Sequence, residues 1–307
     1  MIRRVLRIDV LLSALGALLG VASLGYPFGS DQGLSGYIGW GWLQGKLPYA
    51  TAFDMKTPGI YLVHAVSIAL FGMQMWGVRL FDLLCTMAIG WLAAELAAPR
   101  GEQASPATRG AAIFAACLMY FGFFDFWTTG QCESWCSVFA LASLLVVHRS
   151  LVQPSFFRRA FFAGLLGGIS LIFKPPGMWF IGCMVGLLVL RAWQLESTHA
   201  ARLRRVMLAA GASALGGVLP IALLVLYFQV SHAAGDLFEV LVVNNRHYVL
   251  DGGSVHSLVD LRDQLVSALK AASPVGWVIV VALVAVAAGA WRREESGIPA
   301  ARCSRSC

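Results

Sequence analysis

Residues 57–97 read TPGIYLVHAVSIALFGMQMWGVRLFDLLCTMAIGWLAAELA. They hold two apolar runs, at about 58–76 and 78–97, parted only around Gln74-Met75-Trp76-Gly77. Whether both runs cross a membrane decides the fold, because one crossing more or fewer turns every later loop to the opposite side. That a membrane is involved follows from composition. Of the 307 residues, 58% are hydrophobic and only 13% charged, with a mean hydropathy of +0.72. A soluble domain carries about 25% charged residues and could not wet so apolar a surface. The net charge of +7 is spread along the chain instead of gathered in a patch, so no nucleic-acid partner is expected.

Nine apolar stretches are candidate crossings: about 8–26, 58–76, 78–97, 110–126, 134–148, 160–173, 177–190, 206–230 and 275–291. The first could pass as a secretory signal with its basic start, but it is long enough to span and is read as a crossing. The positive-inside rule tests the count. With the N-terminus cytoplasmic and all nine crossing, 8 of the 23 Lys and Arg lie inside and 15 outside. If 58–76 does not cross, 16 lie inside and 7 outside. The second arrangement obeys the rule. It predicts an all-α polytopic membrane protein with about eight transmembrane helices. Segments 33–46 and 58–76 are then juxtamembrane helices in a long first outer loop. Trp40 and Trp42 suit an interfacial segment, and Thr57-Pro58-Gly59 marks a helix start. Residues 1–291 form one transmembrane module with outer loops at 27–77, 127–135 and 231–274, and 292–307 are expected as a disordered cytoplasmic tail.

Costly polar residues mark function in such a protein, and here they collect on the outer side. The first loop offers Asp31, Gln32, Lys46, Tyr49, Asp54 and Lys56, and Arg79 and Asp82 open the next crossing. Asp125 and Glu133 flank the second outer loop, and Lys174 precedes Pro175-Pro176. Each has a plainer reading. Asp31 could cap a helix, Arg79 and Asp82 could form an i, i+3 ion pair, Lys174 could snorkel, and Glu133 could face a helix dipole. Cys132 and Cys136, four apart, could pair or hold a metal. As a set, acids beside cations at a membrane face suit a polyprenyl-phosphate sugar. Its phosphate leaves without a general acid, a Lys or Arg stabilises the departing charge, and a carboxylate takes the proton of an acceptor hydroxyl.

The pattern also resembles a family. Asp31, Gly45-Lys46-Leu47-Pro48-Tyr49, Asp54-Met55-Lys56-Thr57-Pro58-Gly59-Ile60-Tyr61, Leu70-Phe71-Gly72 and Arg79 look like the C-type, family-39-like glycosyltransferases. These include protein O-mannosyltransferases and the aminoarabinose transferases of lipid A. The resemblance is good over about residues 1–190. It implies Asp31 as catalytic base with Glu133 as second acid, and Lys56, Arg79 and Lys174 on the donor phosphate. Gln32, Tyr49 and Asp54 are expected at the substrate. It also implies two juxtamembrane helices in the first loop. The implied protein is a cell-envelope glycosyltransferase of the plasma or inner membrane. Its expected partners are a polyprenyl-phosphate sugar, membrane lipid and a glycan, lipid or protein acceptor. Some members use a divalent metal; no residue pattern here demands a metal or other cofactor. Many members carry Asp-Glu where this chain has Asp31-Gln32. The alternatives are a lipid-linked sugar transporter or flippase, for which midplane charges and repeats are wanting, and a truncated, non-catalytic subunit.

Overall fold

The computed structural model describes residues 2–99, 102–149, 156–175, 178–194, 198–247 and Arg262. The chain divides into Met1–His247 and Tyr248–Cys307, and the description below concerns the first unit. The expected crossing at 275–291, the tail 292–307 and most of the loop 231–274 lie outside the described residues.

The described residues are helical, with no strand among them. In chain order they form α1 (Ile2–Val21, with a 3-10 turn Ala22–Gly25), α2 (Ser30–Leu43), α3 (Pro58–Phe71), α4 (Met75–Ala97) and α5 (Pro106–Phe123). Then come α6 (Cys132–Arg149), α7 (Phe156–Phe173), α8 (Met178–Gln194), α9 (His199–Val230), the short α10 (Ala234–Phe238) and a π-helical turn at Glu239–Asn244. Four stretches are long and apolar enough to cross a membrane: Ile8–Gly25, Met75–Ala97, Phe156–Phe173 and His199–Val230. The protein is therefore an all-helical, multi-pass membrane protein. Helices α5, α6 and α8 stand where three further crossings are expected.

The deciding stretch breaks into two helices. Thr57 and Pro58 start α3, whose first-turn N–H is expendable at a proline. Gly72, at φ +75°, ends it as its N–H returns to the Ile68 carbonyl at 2.9 Å. At 14 residues, α3 is about 21 Å long, well short of the ~30 Å hydrocarbon core. Helix α4 starts only at Met75 and stops before Pro99. Helix α2 begins three residues earlier than the segment read from sequence, because Gly29 takes the extended N-cap position and lets Ser30 and Asp31 into the first turn. Asp31 is thus a first-turn acid and not the cap.

Packing is inverted relative to a soluble protein. Helix α2 buries Gln32, Ser35, Gly36 and Gly39 and exposes Leu34, Tyr37 and Trp40. Helix α9 likewise exposes Leu215, Val218, Leu226 and Val230, as lipid-facing helices do. Small residues let helices close on one another: a Cβ on Gly164 of α7 would sit 2.0 Å from the Ser213 carbonyl oxygen of α9. At the end of the bundle away from α2 and α3, the buried Glu95 of α4 takes Arg109 of α5 at 2.5 Å and Arg149 of α6. Two arginines that the charge count places on one side thus meet on one carboxylate. At the opposite end, one apolar cluster joins Ile38, Tyr49, Ile60, Tyr61, Met75, Trp135, Phe173 and Phe228. It ties α2, α3, the loop between them, α4, α6, α7 and α9 into a single platform.

Candidate active site

Two acid–lysine pairs stand on this platform. The first spans the long loop between α2 and α3. Asp31 lies in the first turn of α2, where the helix dipole favours an anion. Lys56 lies two residues before α3, and its Nζ is 3.1 Å from Asp31 Oδ2. The contact lacks hydrogen-bond geometry, since Lys56 Nζ has no hydrogen-bond partner. The Asp31 side chain is 60% exposed and that of Lys56 24%, so the acid faces outward and the ammonium is tucked behind it.

The backbone of Lys56 is held firmly. Its carbonyl accepts the hydroxyls of Tyr49 at 2.6 Å and Tyr61 at 3.1 Å. Tyr49 adopts φ +71°, a conformation that costs a side-chain-bearing residue about 1 kcal/mol. In return its ring packs 5.9 Å from both Tyr61 and Phe228. Burial first, and the nearby Asp54 charge with it, pushes both phenols far up in pKa. They remain donors at any working pH. Asn245 reaches the neighbouring Met55 carbonyl at 3.3 Å. Of the two residues expected at substrate, Tyr49 thus holds the Lys56 backbone, and the Asp54 carbonyl accepts the Tyr61 hydroxyl at 3.4 Å.

The second pair closes from the other side. Glu133 sits in the first turn of α6, and Lys174 follows the last residue of α7. Their side chains meet in an ion pair, so Lys174 is held by an acid and not simply snorkelled. Burial raises the Glu133 carboxyl, but the bond and charge of Lys174 outweigh it and leave the group below its ordinary pKa. Burial lowers Lys174 in turn, and Glu133 overcomes that too. Cys132, beside Glu133, is within electrostatic reach of both Lys56 and Lys174.

The loop that leads into Glu133 is clamped by three buried side chains. The Gln32 amide donates to the carbonyls of Phe126, Trp127 and Thr129 at 3.1, 3.0 and 2.8 Å. The Arg79 guanidinium donates to Thr129 Oγ1 at 2.6 Å and to the carbonyls of Phe126 and Pro27 at 2.9 and 3.3 Å. Asp82 accepts the Gly130 N–H at 2.8 Å and the hydroxyls of Ser134 and Tyr120. Arg79 and Asp82 therefore do not form the i, i+3 ion pair; each turns to the loop. Gly130 is required here, since its φ is +69° and a Cβ would lie 3.1 Å from Arg79 Nη1. Gln32 and Arg79 are buried, with 0% exposure, and support the pairs from below.

His64 of α3 is also fully buried, its ring 6.3 Å from that of Trp135. Burial, with Lys56 and Arg79 nearby, drives its pKa down to about 3, so it is a neutral imidazole. Among the described residues no three His, Cys, Asp or Glu side chains gather as a metal site, and Cys132 and Cys136 are free thiols. The carboxylates of Asp31 and Glu133 are each already met by an ammonium. That donor set suits an incoming anion better than a divalent cation.

Residues 55–223 match the dolichyl-phosphate-mannose-protein mannosyltransferase family, which is more than half of the 307-residue chain. The chain belongs to that family. Neither the curated proteins nor the solved structures compared with it match the chain. The mannosyltransferase match covers Lys56, Arg79, Glu133 and Lys174, while Asp31, Gln32, Tyr49 and Asp54 precede it. Membership places the protein among membrane glycosyltransferases that draw on a lipid-linked sugar.

Sequence reading of this mannosyltransferase-family chain passed over Tyr61, Thr129 and Ser134 as working parts, and gave Asp82 only Arg79 as a partner. Asp82 left a signal, an acid inside an apolar helix, which requires partners. Gly130 left another, a glycine directly after two threonines at a tight turn.

Proposed function

We propose that the protein transfers a sugar from a polyprenyl-phosphate donor to an acceptor hydroxyl on a glycan, lipid or protein, at the extracytoplasmic face of the cell membrane. In this reading eight helices cross, the N-terminus is cytoplasmic, and α2 and α3 lie in the outer interface. The observation that carries it is the convergence of Asp31–Lys56 and Glu133–Lys174 on one platform in a chain of this family.

The chemistry follows from the pairs. Before substrate arrives, each lysine neutralises a carboxylate. The donor phosphate draws the ammonium of Lys56, and with it that of Lys174, toward its own oxygens. Losing the cation raises the basicity of the carboxylate left behind. Asp31 then removes the proton from the acceptor hydroxyl as its oxygen bonds to the anomeric carbon. The bond from that carbon to the phosphate oxygen breaks, and the electron pair leaves on polyprenyl phosphate, whose charge the lysines hold. Glu133 orients the acceptor and keeps Lys174 in place. Arg79 and Gln32 serve as positioning residues that set the height of Glu133, and Tyr49 and Tyr61 do the same for Lys56.

The test is an in-membrane assay with radiolabelled polyprenyl-phosphate sugars. Asp31→Asn is expected to lower turnover by at least 10²-fold, the lower range for a lost general base, in protein that stays folded. Retained turnover would reject Asp31 as the base.

A further inference from the structure

The described residues contain three lysines, and two of them are committed to acids: Lys56 to Asp31 and Lys174 to Glu133. Lys46 has no carboxylate within ion-pair distance among the described residues. It is exposed, just beyond the end of α2. A cavity of about 240 Å³ opens beside it, lined by Tyr37, Trp40 and Thr51 and by Ile38 and Ala52. The two aromatic rings lie 6.4 Å apart, tilted by 41°, and are 55% and 38% exposed. Neither the Tyr37 hydroxyl nor the Trp40 indole N–H donates to another described residue. The cavity thus combines an unmatched positive charge, two unspent donors and an aromatic wall.

We propose that this cavity seats the phosphodiester headgroup of an anionic membrane lipid. Three features choose that ligand. The cation without a counter-charge calls for an anion, and Lys is a point-charge binder of phosphate. Tyr37 and Trp40 lie on the outward face of a helix whose buried face is small and polar, the placement of aromatic residues at headgroup depth. The volume falls below the roughly 300–1,000 Å³ of pockets that enclose a whole small molecule. It admits a headgroup while the acyl chains remain in the bilayer. A lipid held there fixes α2 in depth, and with it Asp31, about 9 Å further along the same helix from Tyr37. The inference rests on the interfacial placement of α2 in the proposed function but not on the transfer reaction.

The experiment measures lipid retention instead of activity. The full chain is placed in nanodiscs of equal parts phosphatidylglycerol and phosphatidylcholine, released by collision in a mass spectrometer, and scored for the last lipid retained. Wild type is expected to favour phosphatidylglycerol by about fivefold, the contribution of one basic residue near an anionic surface. Lys46→Gln should abolish the preference and Lys46→Arg keep it; Trp40→Ala should weaken it. Inorganic phosphate added at millimolar concentration should leave it unchanged. No preference in the wild type, or the same preference in Lys46→Gln, overturns the site. Displacement by inorganic phosphate alone overturns the lipid as its ligand. An enzyme inactive toward polyprenyl-phosphate sugars that still shows the Lys46-dependent preference would sink the proposed function and leave this site standing.

Discussion

The amide nitrogen of Gln32 lies 2.8 Å from the carbonyl oxygen of Thr129, a residue 97 positions further along the chain. Two more carbonyls of the same loop share that NH2 group. The bond couples the turn that carries Asp31 to the loop that leads into Glu133. It also gives a reason for an amide beside Asp31 where an Asp-Glu pair would place a carboxylate: a carboxylate cannot donate to three carbonyl oxygens.

Gln32→Glu, though nearly isosteric, is expected to destabilise the protein by about 3 kcal/mol near neutral pH, as for a buried charge facing unpaired acceptors. Protonation of the new acid restores one donor, so the penalty shrinks as pH falls. Thermal unfolding in detergent at pH 8 and pH 5 checks this. A gap to wild type that is equal at both pH values would refute the donor role.

Arg79→Lys replaces a fork that reaches Thr129, Phe126 and Pro27 with a single point donor. Turnover should fall by 10-fold or more with little change in the donor KM, because the loop, and not the phosphate, loses its support. A rise in KM at constant kcat would instead put Arg79 on the phosphate.

Lys56→Ala removes a charge-assisted contact worth about 1.5–3 kcal/mol. The donor KM or Kd should therefore rise by 10- to 100-fold. Tyr61→Phe, which frees one bond to the Lys56 carbonyl, should give a smaller shift in the same direction. An unchanged donor affinity in Lys56→Ala removes the phosphate role assigned to it.

His64 takes up a proton at about 3 when folded and near 6.5 when unfolded. Over that window the unfolded state binds more protons, so stability falls as pH is lowered through it. Above about 6.5 the effect vanishes. His64→Asn is expected to flatten the decline in Tm between pH 6.5 and 4.5. Parallel declines in variant and wild type would show that the protons go elsewhere.

Glu95→Gln leaves Arg109 and Arg149 without their shared carboxylate. The arginines left behind are 27% and 37% exposed, so the loss is that of charged hydrogen bonds, about 1.5–3 kcal/mol. Tm should drop sharply while the donor KM of any folded fraction stays put, since Glu95 lies at the end of α4 remote from Asp31 and Lys56. A coupled change in KM would contradict that separation.

Legibility differed from residue to residue. Lys56 and Asp31 were readable because each is an ionic group in an apolar chain, near a proline-marked helix start and a predicted interfacial helix. Their 3.1 Å approach was not, since 25 residues separate them and the intervening loop is folded by Tyr49 in a left-handed conformation. From sequence, Gln32 reads as a substrate residue and Arg79 as a phosphate ligand or the ion-pair partner of Asp82. Only their burial and carbonyl partners show them holding the loop. The break at Gly72 is written as a glycine shortly before Gln74, yet the apolar run at 58–76 reads straight through it, because hydropathy does not sense a positive φ.

Composition and the lengths of the apolar runs by themselves determined that this chain is a helical, multi-pass membrane protein. Those features report a free energy summed over many residues, transfer from water to lipid, and such sums survive without knowing who touches whom. The tertiary structure alone decided which acid meets which lysine, and which polar side chains hold the loop beneath them. Hydrogen bonds and ion pairs act over a few ångströms between groups remote in the chain, and no local pattern encodes that distance.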